Sequence, residues 1–121
     1  MSLYKNYYII AGYDLSAYKT DKYEDWKWTD EGEQYICRQS KGNIQLFDDP
    51  MDGNHLYLGF VFMSADEYEF NTTVINIDEF LRQQPYVFNK LRYLVGIEVI
   101  NKRALSNLNL RYEMIAFEEC N

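Results

Sequence analysis

One histidine, two cysteines and two prolines occur among 121 residues, and each scarcity removes a class of function. A zinc centre needs three or four nitrogen, sulfur or carboxylate ligands in a set. His55 stands alone, and Cys37 and Cys120 have neither C-x-x-C spacing nor a neighbouring histidine. Two thiols cannot build the disulfide framework of a small secreted domain, so reduced thiols and a cytoplasmic protein are predicted. No basic-then-apolar leader opens the sequence. The longest apolar runs, such as YLGFVFM at 57–63, fall far below membrane-spanning length. The glycines at 12, 32, 42, 53, 59 and 96 are all isolated, which leaves no Gly-rich phosphate cradle and no nucleotide-cofactor motif. Repeats, low-complexity tracts and linkers are absent too. A single globular domain over 1–121 follows.

Aromatic residues, by contrast, are plentiful: twelve Tyr, seven Phe and two Trp. Each buries a large area, so a small core can be built from few of them, and tyrosine can keep its hydroxyl in water. Net charge is −7, and it is unevenly spread. Residues 1–33 carry seven acids and four bases, residues 34–69 six and two, and residues 70–121 six of each. An acidic first half repels phosphate backbones and anionic lipid and attracts basic protein surfaces. Direct nucleic-acid and membrane partners are therefore excluded, and a protein partner with a basic surface is favoured.

Hydrophobic periodicity orders the chain. KNYYIIAGYDL, Lys5 to Leu15, alternates with apolar groups on both faces and predicts an interior strand, with Gly12 marking a bulge or the close approach of another backbone. Lys19 to Glu33 shows no clean period and predicts a long excursion with at most one short helical turn. EQYICRQ and NIQLF around SKG predict a hairpin with Gly42 at its turn. HLYLGFVFM predicts the strongest strand, with Leu56, Leu58, Phe60 and Phe62 on one face. NTTVINI, at 71–77, is β-branched and predicts a further strand. NIDEFLRQQPYVFNKLRYLVG carries a cap at Asn76 or Asp78, acids suited to the helix dipole, a spaced apolar stripe and a terminal glycine, Gly96. It predicts one main helix at about 78–95, with Pro85 dividing the segment and starting its amphipathic part. NLRYEMIAFEE predicts a closing strand. The fold class expected is α+β, an antiparallel sheet of about five strands covered on one face by that helix.

Two clusters bear on function. DDPMDGNH, 48–55, places three carboxylates beside the only histidine. Read as a calcium loop from Asp48 it fails, because Pro50 and Gly59 occupy ligand positions. Asp-Pro followed by Asp-Gly is turn chemistry, with Pro50 presetting φ and Gly53 supplying positive φ. A turn between two strands is the expectation, with no metal and no cofactor. The residues named for a metal-assisted hydrolase here would be Asp48, Asp49 and His55. The second cluster is YEDWKW, 23–28. Tyr and Trp set among charges are the residues that anchor interfaces, unless they fold back to cap the core. Tyr23, Trp26 and Trp28 are thus candidate anchors, and Asp48, Asp49 and Asp52 their electrostatic complement. No nucleophile sits in a motif that would expose it, so no catalytic residue is assigned.

Across AGYDL, KYEDWKWTDEGEQY and QSKGNIQLFDDPMDGNHLYLG, residues 8 to 60, the chain resembles small uncharacterised proteins encoded by large bacteriophages. The resemblance implies a host-takeover or anti-defence factor that binds a host protein or sequesters a small signalling molecule. The expectation drawn is a non-enzymatic binding protein acting as an inhibitor. Its rivals are a homo-oligomeric sponge for a nucleotide-like ligand and the metal-assisted hydrolase.

Overall fold

Alternating apolar side chains drive four segments into one sheet. The computed structural model describes residues 5–36, 42–48, 55–66, 74–106 and 110–120. In chain order the elements are β1 (Lys5–Asp14), α1 (Tyr23–Trp26), α2 (Asp30–Ile36), β2 (Ile44–Asp48), β3 (Leu56–Asp66), α3 (Ile77–Gly96), α4 (Arg103–Ser106) and β4 (Glu113–Cys120). The strands lie in the order β2-β3-β1-β4, and every neighbouring pair is antiparallel. β1 is interior, as its two apolar faces predict. Gly12 faces Gly59 across the ladder, and a Cβ on Gly12 would stand 1.8 Å from the Leu58 carbonyl oxygen. Close backbone approach, not a bulge, explains this glycine; the register shift lies between Ile9 and Ile10.

The pleat sorts side chains into two clusters. On one face Tyr13, Leu15, Leu46, Leu56 and Leu58 meet Val87, Leu91 and Leu94 of α3 and Tyr23 and Trp26 of α1. On the other, Tyr8, Ile10, Phe47 and Val61 pack with Tyr57, Ile115 and Phe117. Here aromatic rings dominate, with centroids 4.8 Å apart for Tyr8–Phe47 and 5.1 Å for Phe47–Phe117. No helical residue belongs to this second cluster.

Asn76 caps α3 by accepting from the Asp78 amide at 2.8 Å, satisfying one of the donors a helix start leaves open. Pro85 does not divide the segment: α3 runs unbroken through it. Proline forfeits one amide donor to the carbonyl four residues back. Both Pro85 and Leu81 are exposed, so water can serve that carbonyl. At the other end Glu98 takes the left-handed conformation, φ 68°, and the Val99 and Ile100 amides both donate to Leu94 O.

Among the described residues the sheet has four strands, not about five. EQYICRQ does not form a strand over its first residues, because Glu33–Ile36 closes α2; residues 37–41 lie outside the described residues. Thr29 overrides the local β propensity. Its hydroxyl accepts from the Gly32 amide at 3.1 Å and its carbonyl from the Glu33 amide at 2.9 Å, the geometry of a helix N-cap. NTTVINI is likewise no strand among its described residues. Val74 to Asn76 are irregular and Ile77 is the first residue of α3, so the cap at Asn76 outweighs the β-branched side chains. Gly42 does need a positive φ, 94°, and leads into β2; the rest of the expected turn lies in residues 37–41, outside the described residues.

Candidate functional site

Asp48 ends β2 with its side chain on the helical side of the sheet. The Tyr23 hydroxyl of α1 donates to its Oδ2 at 3.0 Å, and Lys27 Nζ lies 3.4 Å from the same oxygen. Lys19 Nζ is 3.8 Å from Oδ1. The two ammonium groups also stand over the Tyr23 ring, 5.4 and 6.0 Å from its centroid. One buried carboxylate, one buried phenol and two lysines thus tie α1 to the edge of the sheet. Burial pulls the Lys27 ammonium down, but Glu24 and Asp48 outweigh it and hold the group above its ordinary value. Charges shielded from water are retained when paired and hydrogen-bonded. This cluster is a lock within the fold.

The six sequence-derived positions therefore separate. Tyr23 is wholly buried, Trp26 nearly so, and Asp48 turns inward. None of the three presents its polar or aromatic surface to a partner. Asp49 and Asp52 lie outside the described residues. Trp28 alone of the described set is exposed, at 74%. The reason is local. α1 ends at Trp26, and Gly32 packs against the backbone of Trp26 and Lys27, where a Cβ would come within 2.1 Å of the Trp26 carbonyl oxygen. Trp26 is held inward against Tyr23 and Tyr35, and Trp28, beyond the helix end, points out. Its ring carries the Lys27 ammonium at 5.5 Å.

On either side of Trp28 in the sequence, Asp21, Glu24, Asp25, Asp30, Glu31 and Glu33 are all exposed. Some are partly engaged: Glu24 pairs with Lys27 at 3.0 Å, and Glu31 accepts from the Tyr93 hydroxyl. Asp30, Glu31 and Glu33 also stand in the first turn of α2, where helix-terminal amides favour negative charge. Residues 21–33 thus carry six exposed carboxylates and one large exposed aromatic, Trp28.

His55 stands just before β3, and its candidate partner Asp49 lies outside the described residues. Its ring stacks on Tyr57 at 4.6 Å and reaches Phe117 at 5.7 Å. β2 and β3 pair directly from Asp48 opposite Leu56, so residues 49–54 connect two antiparallel neighbours, though their conformation lies outside the described residues. Among the described residues no three His, Cys, Asp or Glu side chains lie close enough to share a metal ion.

Sequence reading missed a cleft of about 730 Å³ beside α3, between it and the start of β2. Arg82, Gln83, Tyr86, Asn89 and Lys90 form one wall, with Asn43, Ile44 and Phe60 opposite. Its signal was present as a polar, cationic face of α3, but only the topology shows that this face overlooks β2. No helix is long and apolar enough to cross a membrane among the described residues. Comparison with protein-family models, with curated proteins and with solved structures found no match for this chain.

Proposed function

We propose that the protein is a non-enzymatic binding protein that occupies a partner with a basic surface through the α1–α2 segment. The observation that carries this reading is Trp28, 74% exposed, in a segment, residues 21–33, that carries six exposed carboxylates. A large exposed aromatic in a charged segment has the composition of an interface anchor. Acidic surroundings steer a basic partner and set its salt dependence. Tyr23, Trp26 and Asp48 serve the same function indirectly, by fixing the platform from which Trp28 projects. In the setting that the phage resemblance implies, such a protein acts by covering a host surface.

The test is capture of a basic partner by the intact chain against Trp28→Ala. The variant keeps its fold and loses capture, and capture by the wild type weakens steeply with added salt. Equal capture by both chains would overturn the reading.

A second reading rests on the cleft beside α3. Its volume falls in the range of small-molecule sites. Two cations, three amides and two aromatic rings suit a flat anionic ligand of the nucleotide kind, bound without chemistry. Native mass spectrometry distinguishes the two: a low-mass ligand retained by the wild type and lost in Lys90→Glu supports the cleft.

A further inference from the structure

α3 leaves a second apolar stripe in water, separate from the one it buries. Ile77, Leu81, Gln84 and Phe88 follow i, i+4, i+7, i+11 spacing, the repeat of a helix–helix seam. Ile77 is 67% exposed, Leu81 55% and Phe88 37%. Beside the C-terminal end of this stripe lies a groove of about 490 Å³, lined mainly by Pro85, Phe88, Leu105, Leu110 and Tyr112. Projecting aliphatic groups thus stand on α3 about one to two turns before a groove, walled in part by the same helix, that is able to receive them.

The geometry points to a second copy of this chain as the occupant, its α3 lying antiparallel to the first across a two-fold axis near Gln84 and Pro85. Such an axis brings Leu81 of each copy opposite Phe88 of the other and drops both Leu81 side chains into both grooves at once. Self-complementarity of this kind is what an isologous interface requires. The charges agree. The same axis sets Asp78 of one copy beside Arg92 of its mate, twice. Both side chains are exposed, and neither has an ion-pair partner among the described residues. Antiparallel helices also oppose their dipoles favourably. Residues 70–121 carry six acids and six bases, so the copies meet on neutral ground while the −7 charge lies elsewhere. A basic partner of the kind proposed for the Trp28 surface would gain nothing here.

Sedimentation equilibrium of the full chain tests this. The wild type forms a concentration-dependent dimer, Leu81→Asp remains monomeric with an unchanged circular dichroism spectrum, and Trp28→Ala dimerises normally. Asp78→Arg and Arg92→Asp each weaken the dimer several-fold, and the double exchange restores it. That exchange decides the matter should Leu81→Asp fail to fold. A wild type that stays monomeric at every attainable concentration would refute the dimer. So would a folded Leu81→Asp that dimerises as well as the wild type, or an exchange without rescue.

Discussion

Residues 19–36 and α3 solve the same problem in opposite ways. The first segment is rich in acids and aromatics; it draws Tyr23 and Trp26 inward and leaves its carboxylates in water. α3 buries Val87, Leu91 and Leu94 yet leaves Ile77 and Leu81 out. The first can hide the Tyr23 phenol because Asp48 accepts from it and Lys19 and Lys27 pair with that carboxylate. The second cannot turn more of itself inward, since a straight helix offers only one stripe to a sheet. Exposure therefore means different things in the two places. In the first it is charge around one ring, suited to an unlike, basic surface. In the second it is an apolar seam with matched ends, suited to its own kind.

Removing the anchor of the first segment gives the largest expected effect. Tyr23→Ala opens a cavity under α1 and orphans the Asp48 carboxylate; loss of a buried aromatic costs about 3–5 kcal/mol, read by urea unfolding. Gly32→Ala forces α2 away from the Trp26 carbonyl and costs at least the ~1–3 kcal/mol of overpacking. Both variants also diminish the partner capture assigned to Trp28, because the platform moves. Tyr23→Phe separates packing from polarity: it keeps the ring and withdraws the donor from Asp48, for about 1–3 kcal/mol.

High pH probes the α3 side. Burial, with Tyr13 nearby, pushes the Tyr112 phenol up to about 12, and its hydroxyl donates to the Phe80 carbonyl at 2.6 Å. Burial raises Tyr13 as well, against a hydrogen bond with Gln84. In the unfolded chain tyrosine ionises near ~10. The folded state holds these protons more tightly, so the stabilisation is complete below ~10 and drains away as pH climbs towards about 12. Tyr112→Phe flattens that decline, measured as urea midpoint against pH. The smallest effect belongs to Trp28→Ala, whose stability changes by no more than ~0.5 kcal/mol while capture is lost.

Strands β1 and β3 and helix α3 were legible because period and cap agreed. Asn76 caps as read, and Leu56 and Leu58 point as the alternation requires. The misses have a common cause. Tyr35 and Ile36 look like strand residues, and so do Val74 and Ile77, yet each pair adjoins a polar cap, Thr29 or Asn76, that commits the backbone to helix. The Thr29 cap was not read, and the Asn76 cap, though read, was not set against the β-branched run that precedes it. The candidate site was less legible still. Three aromatics within six residues gave no sign of which would point inward, because that depends on where α1 stops and on Asp48, which the sheet supplies from 25 residues away. The cleft and the exposed seam of α3 depend on which strands lie beneath the helix, and strand order cannot be taken from periodicity.

β1 sits in the middle of the sheet, bonded along one edge to β4, so that Lys5 lies opposite Cys120. β1 and β4 are the first and last of the described strands, so this edge of β1 is covered only once two segments far apart in the sequence have met. Closing so long a loop is slow, and the uncovered edge is a template for mispairing meanwhile. Removing β4 should therefore leave the edge of β1 open to pairing with another chain and promote aggregation.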